Sequence, residues 1–235
     1  MTHAVASLPD SRMPESGRMR SFFIDGPVGR LEALLNEGKA ETRYSALICH
    51  PHPLGGGTMH NKVVYHAMKA INAPDHGLGW PVLRFNYRGT GLSDGSHHGS
   101  DEWQDVAAAL DWLGSEFHLP VIAAGFSFGA AMTLKACCSH GAGSGFVRGI
   151  VALGLPTESS GRHYNYDSIR SCTIPKLFLS GDRDEFAPID ELRRVTDAAT
   201  EPKTQALIAG ANHFFTGQLV AMQSTLSNWL SERYP

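Results

Sequence analysis

Gly125-Phe126-Ser127-Phe128-Gly129 sets a serine between two glycines directly after the apolar run Val121-Ile122-Ala123-Ala124. A strand that turns sharply into a helix presents such a serine in a strained, exposed position, and the flanking glycines remove side chains that would block the turn. The segment from Ala130 to Ala136 reads as the helix that follows, so strand, turn and helix come in the required order. The chemistry this points to is nucleophilic attack by Ser127. A hydroxyl is a weak nucleophile at neutral pH and needs a base within hydrogen-bond reach, itself held in one tautomer by a carboxylate.

Both partners occur downstream. The run Leu177-Phe178-Leu179 leads into Ser180-Gly181-Asp182-Arg183-Asp184-Glu185-Phe186, and Leu207-Ile208 leads into Ala209-Gly210-Ala211-Asn212-His213. His213 is the only histidine after His163, which singles it out as the base. Three acids stand near the earlier strand end. Asp184 is the favoured one, because a residue a few positions past the strand can curl toward the histidine loop. Asp182 is better suited to bonding its own turn, and Glu185 is the third possibility.

Acyl chemistry also needs two backbone N–H donors aimed at the developing oxyanion. One is expected from Phe128, at the start of the helix after the nucleophile. The other is expected from His50-Pro51-His52-Pro53-Leu54-Gly55-Gly56-Gly57. Proline has no N–H, which leaves His52, slightly favoured, or Leu54. Phe126, Phe214 and Tyr164 are the candidates for an apolar substrate-binding wall.

The elements that would carry these groups alternate along the chain. Strands are predicted over Gly29–Leu35, Tyr44–Cys49, Trp80–Tyr87, Val121–Ala124, Phe146–Leu153, Lys176–Leu179 and Thr204–Ile208. Helical spacing covers Lys62–Ala70, Gln218–Leu230 and a segment to Phe117 that Ser100 would cap. Such alternation predicts a doubly wound, mostly parallel α/β sheet with helices on both faces. Residues 1–20 read as a flexible N-terminal arm and 21–235 as a single domain. The polar stretch between Pro156 and Ser171 is expected to form a small lid, to leave the site open, or to be a plain surface connection.

Composition narrows the function classes. The chain has 235 residues, 42% hydrophobic and 18% charged, with net charge −3. Nothing basic invites nucleic acid, and no apolar stretch approaches the ~20 residues of a membrane span. The N-terminus lacks the apolar run of a secretory signal, so a cytoplasmic location is expected. Cys49, Cys137, Cys138 and Cys172 form no C-x-x-C pair and are expected to be reduced thiols.

Together with G-F-S-F-G, the strings HPHPLGGGTMHNKVV, RFNYRGTGLSDG, GDRDEFAP and GANHFF resemble the α/β-hydrolase superfamily. They are most similar to its small dienelactone-hydrolase-like esterase branch, over about Phe22 to Leu230. The resemblance implies Ser127, Asp184 and His213 as a triad, with an oxyanion hole from the H-P-H-P loop and Phe128, and no cofactor. Dienelactone hydrolases use cysteine as nucleophile, so the serine favours ester hydrolysis. Arg88, in Asn86-Tyr87-Arg88-Gly89, resembles a structural loop of the superfamily.

The expectation is a carboxylesterase acting on small or medium uncharged esters, with activity falling below roughly pH 6–7 as the base protonates. Thioester hydrolysis, acyl transfer and peptidase action would use the same groups. A metal site drawing on His50, His52, His60, His97 and His98, and a non-catalytic binding protein, are the rivals.

Overall fold

The computed structural model describes residues 18–73, 77–159 and 161–235. The chain opens with an antiparallel pair, β1 (Met19–Gly26) and β2 (Gly29–Asn36). Strands and helices then alternate: β3 (Ser45–Cys49), α1 (Lys62–Asn72), β4 (Val82–Phe85), α2 (Trp103–Phe117), β5 (Val121–Phe126) and α3 (Phe128–Leu134). After β6 (Val147–Leu153) come a two-residue hairpin, β7 (Glu158–Ser159) and β8 (Arg162–His163), then β9 (Lys176–Gly181), α4 (Ile189–Asp197), β10 (Lys203–Ile208) and α5 (Leu219–Arg233).

Every residue of β3, β4, β5 and β9 is buried. Such runs have no polar face to offer water, so they are stable only with helices over both faces of the sheet. The sheet runs β1-β2-β4-β3-β5-β6-β9-β10 and is parallel from β4 onward. Val63, Val64, Ala67 and Ile71 of α1 join Met222 and Leu226 of α5 on one face. Val106, Leu110 and Leu113 of α2, Leu134 of α3 and Leu192 of α4 cover the other. The doubly wound α/β architecture is therefore as expected.

Several boundaries differ. The predicted arm lies mostly outside the described residues, but its last two positions begin β1, which pairs along its whole length with β2. Its mostly exposed pattern, with only Ile24 buried, is that of an edge strand, and this hid it from an apolar-run reading. Helix α2 starts at Trp103 rather than at a Ser100 cap. The Glu102 carboxylate accepts the N–H groups of His98 (2.7 Å) and Gly99 (3.0 Å) and organises the turn before it. Cys138 and Cys172 are disulfide-bonded, which corrects the expectation of reduced thiols for that pair. Cys49 and Cys137 are free, and burial pushes both thiols up to about 12. Among the described residues no helix is long and apolar enough to cross a membrane.

Candidate active site

The parallel strands reverse direction of winding at β3 and β5: α1 carries the chain from β3 to β4 on one side, and α2 returns it to β5 on the other. A crevice opens beyond the carboxyl ends of strands at such a switch. Ser127 stands there, between β5 and α3, with φ 55° and ψ −122°. A non-glycine residue at positive φ is strained and persists only where its surroundings hold it. The Ser127 N–H donates to Leu153 O at 2.9 Å. Cβ atoms at the flanking glycines would collide with backbone, that of Gly125 with Gly129 and that of Gly129 with the carbonyls of Cys49 and His50. Both glycines are thus required by close approach.

The loops after β9 and β10 converge on this serine. His213 Nε2 lies 2.9 Å from Ser127 Oγ, and His213 Nδ1 lies 2.9 Å from both oxygens of Asp184. The carboxylate draws the imidazole proton to Nδ1 and leaves Nε2 as acceptor for the serine hydroxyl. Asp184 and His213 are buried, and Asp184 Oδ1 also accepts the Phe186 N–H at 2.9 Å. The neighbouring acids have other partners. Asp182 Oδ1 accepts from Gly210 N at 2.7 Å, and Glu185 Oε2 accepts from His213 N at 3.3 Å.

The H-P-H-P loop follows β3. Buried His50 donates from Nδ1 to Pro51 O (2.7 Å) and accepts the Tyr87 N–H at Nε2 (3.0 Å), so both ring nitrogens are engaged. Burial lowers its pKa to about 3. The Leu54 N–H donates to His52 Nδ1 at 3.1 Å. The His52 N–H meets no acceptor among the described residues, and neither does that of Phe128, the first residue of α3. First-turn helix amides have no intrahelical partner, so Phe128 carries a donor without an acceptor among the described residues, beside Ser127.

A cleft of about 260 Å³ opens over Ser127 and His213, bordered by His52, Asn61, Arg162, Phe186 and Phe214. Phe214, 46% exposed, forms part of its wall. Phe126 is fully buried behind His213, with ring centroids 5.0 Å apart, and does not border the cleft. Tyr164 lies over a neighbouring cavity of about 570 Å³ and stacks near Tyr166. Within the Pro156–Ser171 stretch, the short pair β7 and β8 sets Arg162 at the rim of both cavities, and a 3-10 turn follows at Asp167–Arg170. Asn61 and Arg162 were not singled out from sequence. Asn61 carries a cap signature, accepting from Val63 N at 2.9 Å, and it alone gave any local signal.

His97 falls in a Gly/Ser-rich stretch that reads as solvated, yet its side chain is buried against the rings of His52 and Phe128. Among the described residues no three His, Cys, Asp or Glu side chains are grouped to hold a metal ion. Arg88 is structural: its guanidinium pairs with buried Asp105 at 2.7 Å.

Residues 45–232 match the family described as alpha/beta hydrolase domain. An uncharacterized protein of Rickettsia prowazekii is 30% identical over 223 residues, 90% of this chain and 89% of that one. An alpha-beta serine hydrolase homologue from Coxiella burnetii superposes with TM-score 0.79 at 34% identity, over 90% of this chain and 97% of that one. A serine hydrolase without lid from Xanthomonas campestris gives TM-score 0.80 at 27% identity, over 92% and 95% of the two chains.

Proposed function

The chain belongs to the alpha/beta hydrolase family, and from that premise we propose that it is a serine carboxylesterase working through an acyl-enzyme. One observation carries the reading: His213 Nε2 lies 2.9 Å from Ser127 Oγ while Asp184 holds the far nitrogen. Ser127 Oγ attacks the ester carbonyl as its proton passes to His213 Nε2. The oxyanion accepts from the Phe128 and His52 N–H groups, whose lack of other partners among the described residues supports that role. His213 then protonates the departing alkoxide as the ester C–O bond breaks, leaving the acyl group on Ser127. A water, deprotonated by the same imidazole, attacks the acyl carbonyl, and the proton returns to Ser127 as the acid leaves. Asp184 stays ionised and orients His213 throughout. This route calls on no cofactor.

The cleft volume and the aromatic wall of Phe186 and Phe214 favour small or medium esters. The test combines labelling by a fluorophosphonate with a panel of esters varied in acyl and alcohol size. Wild-type protein should label on Ser127 and turn over part of the panel, and Ser127→Ala should do neither. Folded wild type that neither labels nor hydrolyses any ester would make the protein a binder.

A further inference from the structure

A chain of three side chains, His52, His97 and Glu102, runs from the loop after β3 to the turn before α2. His52 Nε2 lies 3.4 Å from His97 Nε2, and His97 Nδ1 lies 2.9 Å from Glu102 Oε1. The Glu102 side chain is fully buried. The rings of His52 and His97 meet edge to face with centroids 4.7 Å apart, and both rest on the Phe128 ring, at 4.8 and 5.4 Å. The cluster therefore packs directly behind the residue that follows the nucleophile.

Proton bookkeeping gives this chain a direction. Burial lowers the pKa of both imidazoles, that of His52 to about 4, and nearby Arg162 pushes the same way. A neutral imidazole has one N–H and one acceptor nitrogen. The Leu54 N–H donates to His52 Nδ1, so the His52 proton sits on Nε2. That N–H faces His97 Nε2, which must then be the acceptor, and the His97 proton sits on Nδ1. Nδ1–H lies against Glu102. Nδ1 and Glu102 Oε1 meet as a close polar pair at 2.9 Å rather than a formed hydrogen bond, and Glu102 Oε2 also has no partner among the described residues. Burial opposes ionisation of Glu102, but the backbone amides of Gly99 and His98, with His97, hold its carboxyl below the usual range. Each link thus agrees with a carboxylate at one end and a backbone amide at the other.

Resting on the esterase reading, we propose that Glu102 and His97 are positioning residues of the oxyanion loop. Acting through the His52 ring, they keep the Leu54 N–H bonded away from the oxyanion site and the His52 N–H turned into it. Neither touches the substrate. Their effect falls on the transition state, because the donor position matters when charge develops on the carbonyl oxygen.

The variants are His97→Phe, which keeps a flat ring on Phe128 but no acceptor, and His97→Gln, whose amide can accept from His52 and donate to Glu102. For an ester that wild type hydrolyses, His97→Phe should lower kcat about tenfold with KM within about twofold, a loss typical of a slackened donor. The rate of Ser127 labelling by a fluorophosphonate, whose phosphoryl oxygen enters the same hole, should fall by the same factor. His97→Gln should restore most of both. Nitrogen NMR of His52 should show the Nε2–H form in wild type and a mixture in His97→Phe. Equal labelling rates in wild type and His97→Phe would overturn the proposal, as would a loss that Gln does not repair. Wild type that never labels at Ser127 would instead remove the esterase reading beneath it.

Discussion

Asp182 and Gly210 tie two loops together: the Asp182 carboxylate accepts the Gly210 amide at 2.7 Å, across 28 positions of sequence. The loop that carries Asp184 is thereby fastened to the loop that carries His213. Two acids two residues apart hence divide the labour, one fixing the backbone and the other the imidazole. Asp184→Asn should cost about 10,000-fold in kcat, because the amide would favour the wrong imidazole tautomer. Asp182→Ala should cost about 1 kcal/mol of stability and no more than about tenfold in kcat. Steady-state kinetics with urea unfolding separates them, and an equal kcat loss for both would overturn the division.

The elbow strain at Ser127 has a measurable consequence. Its φ of 55° penalises any residue with a Cβ, so Ser127→Gly should be more stable than Ser127→Ala by roughly 1 kcal/mol. Both should be inactive. Urea unfolding of the two purified variants tests this, and equal midpoints would mean that the surroundings hold no strain there.

Gly129 has no room for a methyl group against the carbonyls at the end of β3. Gly129→Ala should destabilise by about 1–3 kcal/mol and push the Phe128 amide out of line, with a kcat loss of at least about a hundredfold. A variant of unchanged Tm and kcat would refute the close-approach argument.

The His52 amide can be removed selectively. Its φ of −56° already suits proline. His52→Ala keeps the N–H and loses the ring, whereas His52→Pro loses both. The proline variant should be slower than the alanine variant by about 100- to 1,000-fold in kcat, the usual cost of one oxyanion donor. Equal rates would point to Leu54 instead.

Stability should fall in mild acid partly through His50. Burial pushes its folded-state pKa down to about 3, against 6.5 for an ordinary imidazole. Between those values the unfolded chain binds a proton that the native ring refuses. The contribution is complete above pH 6.5 and is lost as pH falls toward 3, at about 1.4 kcal/mol per pH unit. Urea unfolding from pH 7.5 to 4.5 should show a shallower decline for His50→Gln than for wild type. Identical slopes would exclude His50 as a source.

Strand-turn-helix order around Ser127, the lone downstream histidine and the acid-rich end of β9 were readable because each is a local pattern. The core strands were readable for the same reason: covered on both faces, they are mainly apolar, with only isolated polar residues such as Arg84 in β4 and Lys176 in β9. Edge strand β1 was not, since a strand half in water carries no such run. The choice of Asp184 over Asp182 and Glu185 was only a preference, because it depends on where the loops after β9 and β10 meet. That the Leu54 amide bonds the His52 ring depends likewise on how the loop after β3 folds. Phe126 and Tyr164 look alike as aromatic candidates, yet the fold sends one behind the imidazole and the other to a neighbouring cavity. His97 shows the limit most clearly: its polar neighbours in sequence speak for solvent, and only packing onto Phe128 takes it inside. Residue type and short-range spacing thus determined the core elements and the kind of chemistry proposed. Long-range contacts, set by how the helices close over the sheet, decided which polar groups face one another.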